Sequence, residues 1–185
     1  MFNFRTFPIG RHEQVPGVRA FATLSALDAC VRGMLVSVMP LTVYRAFGDA
    51  SLASQVYFVA GVVSLFVGLM VPWATGLIPR RWMYTIGCFL YMLGMVLAIL
   101  GGPLGMGLAL MLNAAATVTL FVCLNAYVLD YVARHDLGRA ESTRMVFGAG
   151  PWAVGPVVGV WLLNWNPAVP FLLAFLASVV MLAVF

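Results

Sequence analysis

Asp28 and Arg32 are the residues of this chain whose type and place most invite a chemical role. They stand in an otherwise apolar stretch, residues 21–44 (FATLSALDACVRGMLVSVMPLTVY). A helix rises about 1.5 Å per residue and a hydrocarbon core is about 30 Å thick, so about 20 residues span it. By that measure Asp28 lies roughly a third of the way into the bilayer and Arg32 near its midplane. Four residues apart, the two share one helix face. A charge at that depth costs at least about 2.5 kcal/mol. A partner charge, a water-filled cavity or a solute must therefore receive this face inside a helical bundle. Two readings fit. The pair neutralises itself and fixes helix packing, or it lines a polar pathway. The second is favoured, because an ionisable residue inside a membrane is by default a functional candidate.

Composition defines the elements that must position this pair. The chain is 63% hydrophobic and 9% charged, with a mean hydropathy of +1.02. Soluble domains carry about 25% charged residues, so an integral membrane protein is expected, built by bilayer rules. The net charge of +4 comes from arginine alone, as the chain has no lysine. Nucleic acid is not expected as a partner; the placement of the arginines is what matters. Cys30, Cys88 and Cys123 fall in apolar segments without CxxC spacing or nearby histidines. Neither a disulfide framework nor a metal site is expected, and no cofactor. The first apolar run is of spanning length, unlike a cleavable signal peptide.

Read in order, residues 1–19 form a short tail that mixes Arg5, Arg11 and Arg19 with phenylalanines, broken by Pro8, Gly10, Pro16 and Gly17. Residues 20–185 read as an all-α bundle of six transmembrane helices. The expected spans are 21–44, 52–74, 82–100, 104–128, 145–163 and 168–185. Asp49 or Ser51 is placed to cap the second helix. Gly61, Ser64 and Gly68 make a small-residue stripe suited to close helix contact. Gln55 and Tyr57 suit an interface or a cavity wall. Asn113 lies mid-bilayer on the fourth helix, where interhelical bonding is favoured over solute contact. The main polar segment, residues 130–144 (DYVARHDLGRAESTR), is expected between the fourth and fifth helices. The fifth helix carries GAGPWAVGPVVG, with Gly150, Pro151, Gly155, Pro156 and Gly159 suited to bending and tight packing.

The positive-inside rule sets the orientation. Arg5, Arg11, Arg19, Arg80, Arg81, Arg134, Arg139 and Arg144 lie on the side of the N-terminal tail, and Arg45 alone lies opposite. The N-terminus is therefore expected in the cytoplasm, in a plasma or bacterial inner membrane. The sixth helix is still apolar at Phe185, so the chain is expected to be the first half of a longer protein; a six-helix protein that dimerises is the alternative.

Enzyme classes find little support. There is no serine in a GxSG context with a membrane histidine, as an intramembrane serine protease of rhomboid type needs. A P-loop needs a lysine, and no DxxD or HExxH occurs. GAGPWAVG lies in a spanning segment without a preceding strand, so it does not read as a nucleotide loop.

The short loops, the six-helix unit with its N-terminus inside, the basic turn after the second helix and the Gly-Pro-rich fifth helix together resemble the N-terminal half of a major facilitator superfamily transporter. In that family the second loop reads like G-x-x-x-D-R-x-G-R-R. Gly76, Arg80 and Arg81 match it, the aspartate and second glycine are absent, and Pro79 intervenes. The fifth-helix pattern G-x-x-x-G-P-x-x-G-G is met by Gly155, Pro156 and Gly159, with Pro151 and Val160 at the outer positions. Asp130 and Arg134 resemble the family's charged cluster at the inner end of helix four. The resemblance implies alternating access, with two six-helix bundles rocking about a site near the midplane. Asp28, Arg32 and Asn113 would face that site, and a small solute would be the partner, with protons as a candidate coupling ion. Asp28 would carry a proton, which Arg32 beside it opposes; or Arg32 would pair with an anionic solute through its planar fork. Arg80, Arg81, Asp130, Arg134, Arg139, Glu141 and Arg144 would form a cytoplasmic network that breaks and reforms between states, or serve as interfacial anchors. The missing partner would be a C-terminal six-helix bundle or a second copy. A non-transporting membrane scaffold or assembly factor of the same fold is the rival expectation, favoured by the absent loop aspartate.

Overall fold

The computed structural model describes residues 18–132 and 137–185. These residues form six helices and no strand. They are α1 (Val18–Phe47), α2 (Ala50–Ala74), α3 (Arg80–Leu100), α4 (Gly102–Tyr131), α5 (Leu137–Trp165) and α6 (Val169–Val184). All but α6 are long and apolar enough to cross a membrane; α6 is apolar but has 16 residues. An all-helical answer follows from the bilayer, where a helix satisfies its backbone hydrogen bonds within one segment.

The connections are short and their chemistry is local. α1 ends at Gly48, which takes a left-handed φ of 67°. Asp49 then caps α2, its Oδ1 accepting from the Ser51 amide at 2.8 Å. Gly101 and Gly102 join α3 to α4 with φ of 74° and 79°, a conformation that disfavours residues with a Cβ. Asn166 Oδ1 accepts from the Ala168 amide at 2.9 Å and turns the chain into α6.

Packing centres on α1, which lies against α5 most extensively and also meets α4, α6 and α2. α3 packs on α4 and α6, and α2 leans on α4. The α1–α5 contact is backbone on backbone. A Cβ added at Gly33 would lie 2.6 Å from the Pro151 carbonyl oxygen. One at Gly155 would lie 2.6 Å from the Gly33 carbonyl carbon, and one at Gly159 would lie 2.7 Å from the Met34 carbonyl oxygen. Small residues permit such an approach, and in lipid the gain comes from dispersion contacts rather than from hydrophobic exclusion.

Two features differ from the reading of the sequence. α5 starts at Leu137, so Arg139, Glu141 and Arg144 lie on its opening turns instead of in a loop. The segment RAESTR holds no breaker after Gly138, and a helix need not stop where the hydrocarbon does. The stripe on α2 is also not a close contact along its length. A Cβ at Gly61 would meet open space, and at Gly68 the Val118 side chain alone comes within 3.2 Å. Ser64 instead turns back, donating to the Gly61 carbonyl at 2.9 Å.

Candidate functional site

The site is built on one face of α1. Ser25, Asp28 and Arg32 follow at spacings of three and four, which aligns them along the helix. Arg32 Nη2 reaches back one turn to Asp28 Oδ2 at 2.5 Å. Asp28 is 3% exposed. The contact uses one oxygen of the carboxylate: Asp28 Oδ1 and Arg32 Nε are both buried without a hydrogen-bond partner. A fork-to-fork pairing would have satisfied both atoms, so this pair is only half closed. The Arg32 guanidinium also lies 5.8 Å from the centre of the Phe121 ring.

Below this pair, towards the N-terminal end of α1, Arg144 ties three helices together. Its Nε donates to Ser25 Oγ on α1 at 2.8 Å. Its Nη1 donates to Asn125 Oδ1 on α4 at 3.0 Å and to Glu141 Oε2 at 2.8 Å. Arg144 is 9% exposed while Glu141 is half-exposed, so the carboxylate stands at the rim and the guanidinium inside. On the same side of the bundle Arg80, at the start of α3, forms an ion pair with Asp130, near the end of α4. Arg81 and Arg139 are exposed. Arg134 lies outside the described residues.

Above the pair, Asn113 and Tyr57 face the same space as Arg32. Asn113 Oδ1 and the Tyr57 hydroxyl are buried and unpartnered. The backbone of Asn113 is held in place, because Thr117 donates to its carbonyl at 2.8 Å. Thr117 in turn lies 2.7 Å from the Tyr91 hydroxyl.

These groups line two clefts that meet at Arg32. The lower cleft, of about 270 Å³, is bounded by Ser25, Arg32, Glu141, Arg144 and Trp152. The upper one, of about 340 Å³, is bounded by Arg32, Tyr57, Asn113 and Trp152 with apolar walls from Met39 and Leu110. The two clefts follow one another along α1, the lower one more polar and the upper one mostly apolar, and share Arg32 and Trp152 as a common wall. A third cleft, between α1, α5 and α6 beside Cys30, is apolar. Of the glycines and prolines singled out on α5, Gly155 and Gly159 lie at the α1 contact, and Pro151 provides the carbonyl that Gly33 meets. A Cβ at Gly150 would meet open space. Pro156 is half-buried.

Ser25, Asn125 and Trp152 join the site only through the fold. Ser25 carries a legible signal, its spacing to Asp28 and Arg32. Asn125 was visible only as a polar residue on an apolar helix, and nothing local marks Trp152.

A bundle of helices long and apolar enough to span a membrane, with a charged pair on α1, defines a polytopic integral membrane protein. The sequence model described as Major Facilitator Superfamily matches residues 21–185. The chain belongs to that family, whose members are transporters rather than enzymes. Against curated proteins the chain has no significant match.

Proposed function

We propose that this protein carries a small solute across the membrane as a secondary active transporter, by exposing a site at Arg32 to the two sides in turn. The observation that carries the reading is the charged pair on α1, whose Arg32 borders a cleft on either side. A packing device would close such a pair with partners on every polar atom. Here Arg32 keeps a buried, unpartnered donor. Asp28 and Arg32 form the solute and proton pathway, with Asn113 as a further contact. Asp28 is the proton carrier in this reading, since one of its oxygens is free of hydrogen bonds. The open side of the clefts is completed by a second six-helix bundle, in line with substrate sites formed at repeat interfaces in such transporters. The N-terminus lies in the cytoplasm of a cell whose plasma or inner membrane holds the protein, as the arginine distribution favours.

On the cytoplasmic side Arg80 with Asp130, and Arg144 with Glu141, Ser25 and Asn125, form the contacts that part when the bundle opens inward. Arg81, Arg134 and Arg139 contribute charge to that face. The bend and packing residues of α5, Gly150, Pro151, Gly155, Pro156 and Gly159, let α5 move with α1.

Alternating access can be tested without knowing the solute. Val36 lines the upper cleft and is 49% exposed. A Val36→Cys variant, with Cys30→Ser to remove the exposed native thiol, should react with a membrane-impermeant thiosulfonate in both right-side-out and inside-out vesicles. Labelling from one side alone would refute the transport reading. It would leave the scaffold or assembly role, which the missing aspartate of the loop at residues 76–81 favours.

A further inference from the structure

We infer that the solute taken at the upper cleft is a small, uncharged, lipophilic molecule, seated on an apolar wall formed by α1, α2, α4 and α5. The inference rests on the transport reading above and names the solute class. It follows from which atoms the cleft shows to an occupant. Leu35, Val36, Met39 and Pro40 on α1, Leu110 on α4 and Trp152 on α5 supply most of its surface. Tyr57 and Asn113 border it as well, but the Tyr57 hydroxyl and Asn113 Oδ1 are buried. Tyr57 therefore offers its ring, and Asn113 at most its amide nitrogen. Arg32 Nε is buried too, and Nη2 is held by Asp28 at 2.5 Å. The charge of Arg32 is thus met within its own helix.

Each candidate chemistry can be weighed against that wall. An anion would have to compete with Asp28 for the guanidinium and would be repelled by it. A cation would meet the same guanidinium, and among the described residues no Asp or Glu borders the cleft. A charge taken out of water without a partner is costly, so both ions are disfavoured. A sugar would give up the water on each hydroxyl and find too few partners here to replace it. An uncharged body of rings or alkyl groups loses nothing of that kind. It gains dispersion contacts with Met39, Leu110 and the half-exposed ring of Trp152. The third cleft, beside Cys30, is apolar too but has no border with Arg32, where the transport reading places the site. The volume of about 340 Å³ sits at the small end of the range for ligand sites, about 300–1,000 Å³, which sets the size class.

The test measures binding to the unaltered protein in lipid nanodiscs by equilibrium dialysis, with protein-free discs to account for simple partition into lipid. The radiolabelled probes form two series that differ only in charge: 1-naphthalenemethanol, 1-naphthoate and 1-naphthylmethylammonium, and the corresponding 4-biphenyl alcohol, acid and amine. In at least one series the alcohol should bind saturably, above the empty discs, and at least about tenfold more tightly than either ion. Trp152→Ala should weaken that binding severalfold. Leu173→Ala, on the wall of the third cleft, should leave it unchanged. The comparison of alcohol with ions needs no variant to fold. Absence of saturable binding, as follows if acyl chains or a second bundle fill the cleft, would overturn the inference. So would alcohols that bind no more tightly than their ions, or binding that Trp152→Ala leaves unweakened or that Leu173→Ala weakens. The labelling of Val36→Cys separates the two levels: two-sided labelling with no preference for the alcohols leaves transport standing and removes this solute class. One-sided labelling removes the reading on which the class rests.

Discussion

Gly155→Ala tests whether the α1–α5 contact is as close as the backbone positions require. The added Cβ would lie 2.6 Å from the Gly33 carbonyl carbon and 2.9 Å from the Met34 amide nitrogen. Both are backbone atoms, so no side-chain rotation relieves the overlap. Ordinary contact begins near 3.4 Å, and the helices must part by about 0.8 Å, or the chain must deform locally. Overpacking of this kind costs about 1–3 kcal/mol, a factor of about 5 to 150 in the folding equilibrium. Gly150→Ala is the matched control, because the same methyl group there meets open space. Equilibrium unfolding by sodium dodecyl sulfate in mixed micelles, followed by tryptophan fluorescence, measures both. Gly155→Ala should lose stability in the stated range and Gly150→Ala should lose none. Equal stability of the two variants would refute the reasoning.

Three further outcomes are expected from the same unfolding measurement. Arg144→Leu leaves Ser25 and Asn125 without the guanidinium that joins α1, α4 and α5, and should cost about 2–5 kcal/mol as a broken buried network. Arg144→Lys should recover only part of it, since an ammonium cannot reproduce the planar fork. Asp49→Ala removes the α2 cap and should cost about 0.5–2 kcal/mol. Asp28→Asn strands Arg32 beside a neutral partner and should cost about 3 kcal/mol, while adding Arg32→Gln to it should restore part of the loss. A double variant that is additive would show that the two side chains do not interact.

The helices were legible because bilayer physics writes them as long apolar runs, and the short connections because Gly48, Asp49, Gly101 and Gly102 act within a few residues of themselves. The relation of Asp28 to Arg32 was legible for the same reason: a spacing of four is a contact on any helix. What joins distant parts of the chain was not. Arg144 meets a serine 119 positions earlier, and no pattern near either residue announces it. Charge misleads at the start of α5, because Arg139, Glu141 and Arg144 ride on a helix that continues beyond its apolar part. Gly61 and Ser64 had the spacing of a contact face, yet spacing does not say which face of α2 meets a neighbour.

The half-closed pair on α1 also bears on how the protein is made. Arg144 and Asn125 are synthesised long after α1 has left the ribosome, so α1 must enter the lipid before its bundle exists. Asp28 and Arg32, meeting within one turn, neutralise each other inside a single helix and lower the cost of that entry. Exchanging Arg32 with Cys30 in an isolated α1 segment keeps its composition and puts the charges on nearly opposite sides. In a glycosylation-mapping translation assay the native spacing should insert more often than the shifted one; equal insertion would mean that α1 waits for the later helices before settling in the membrane.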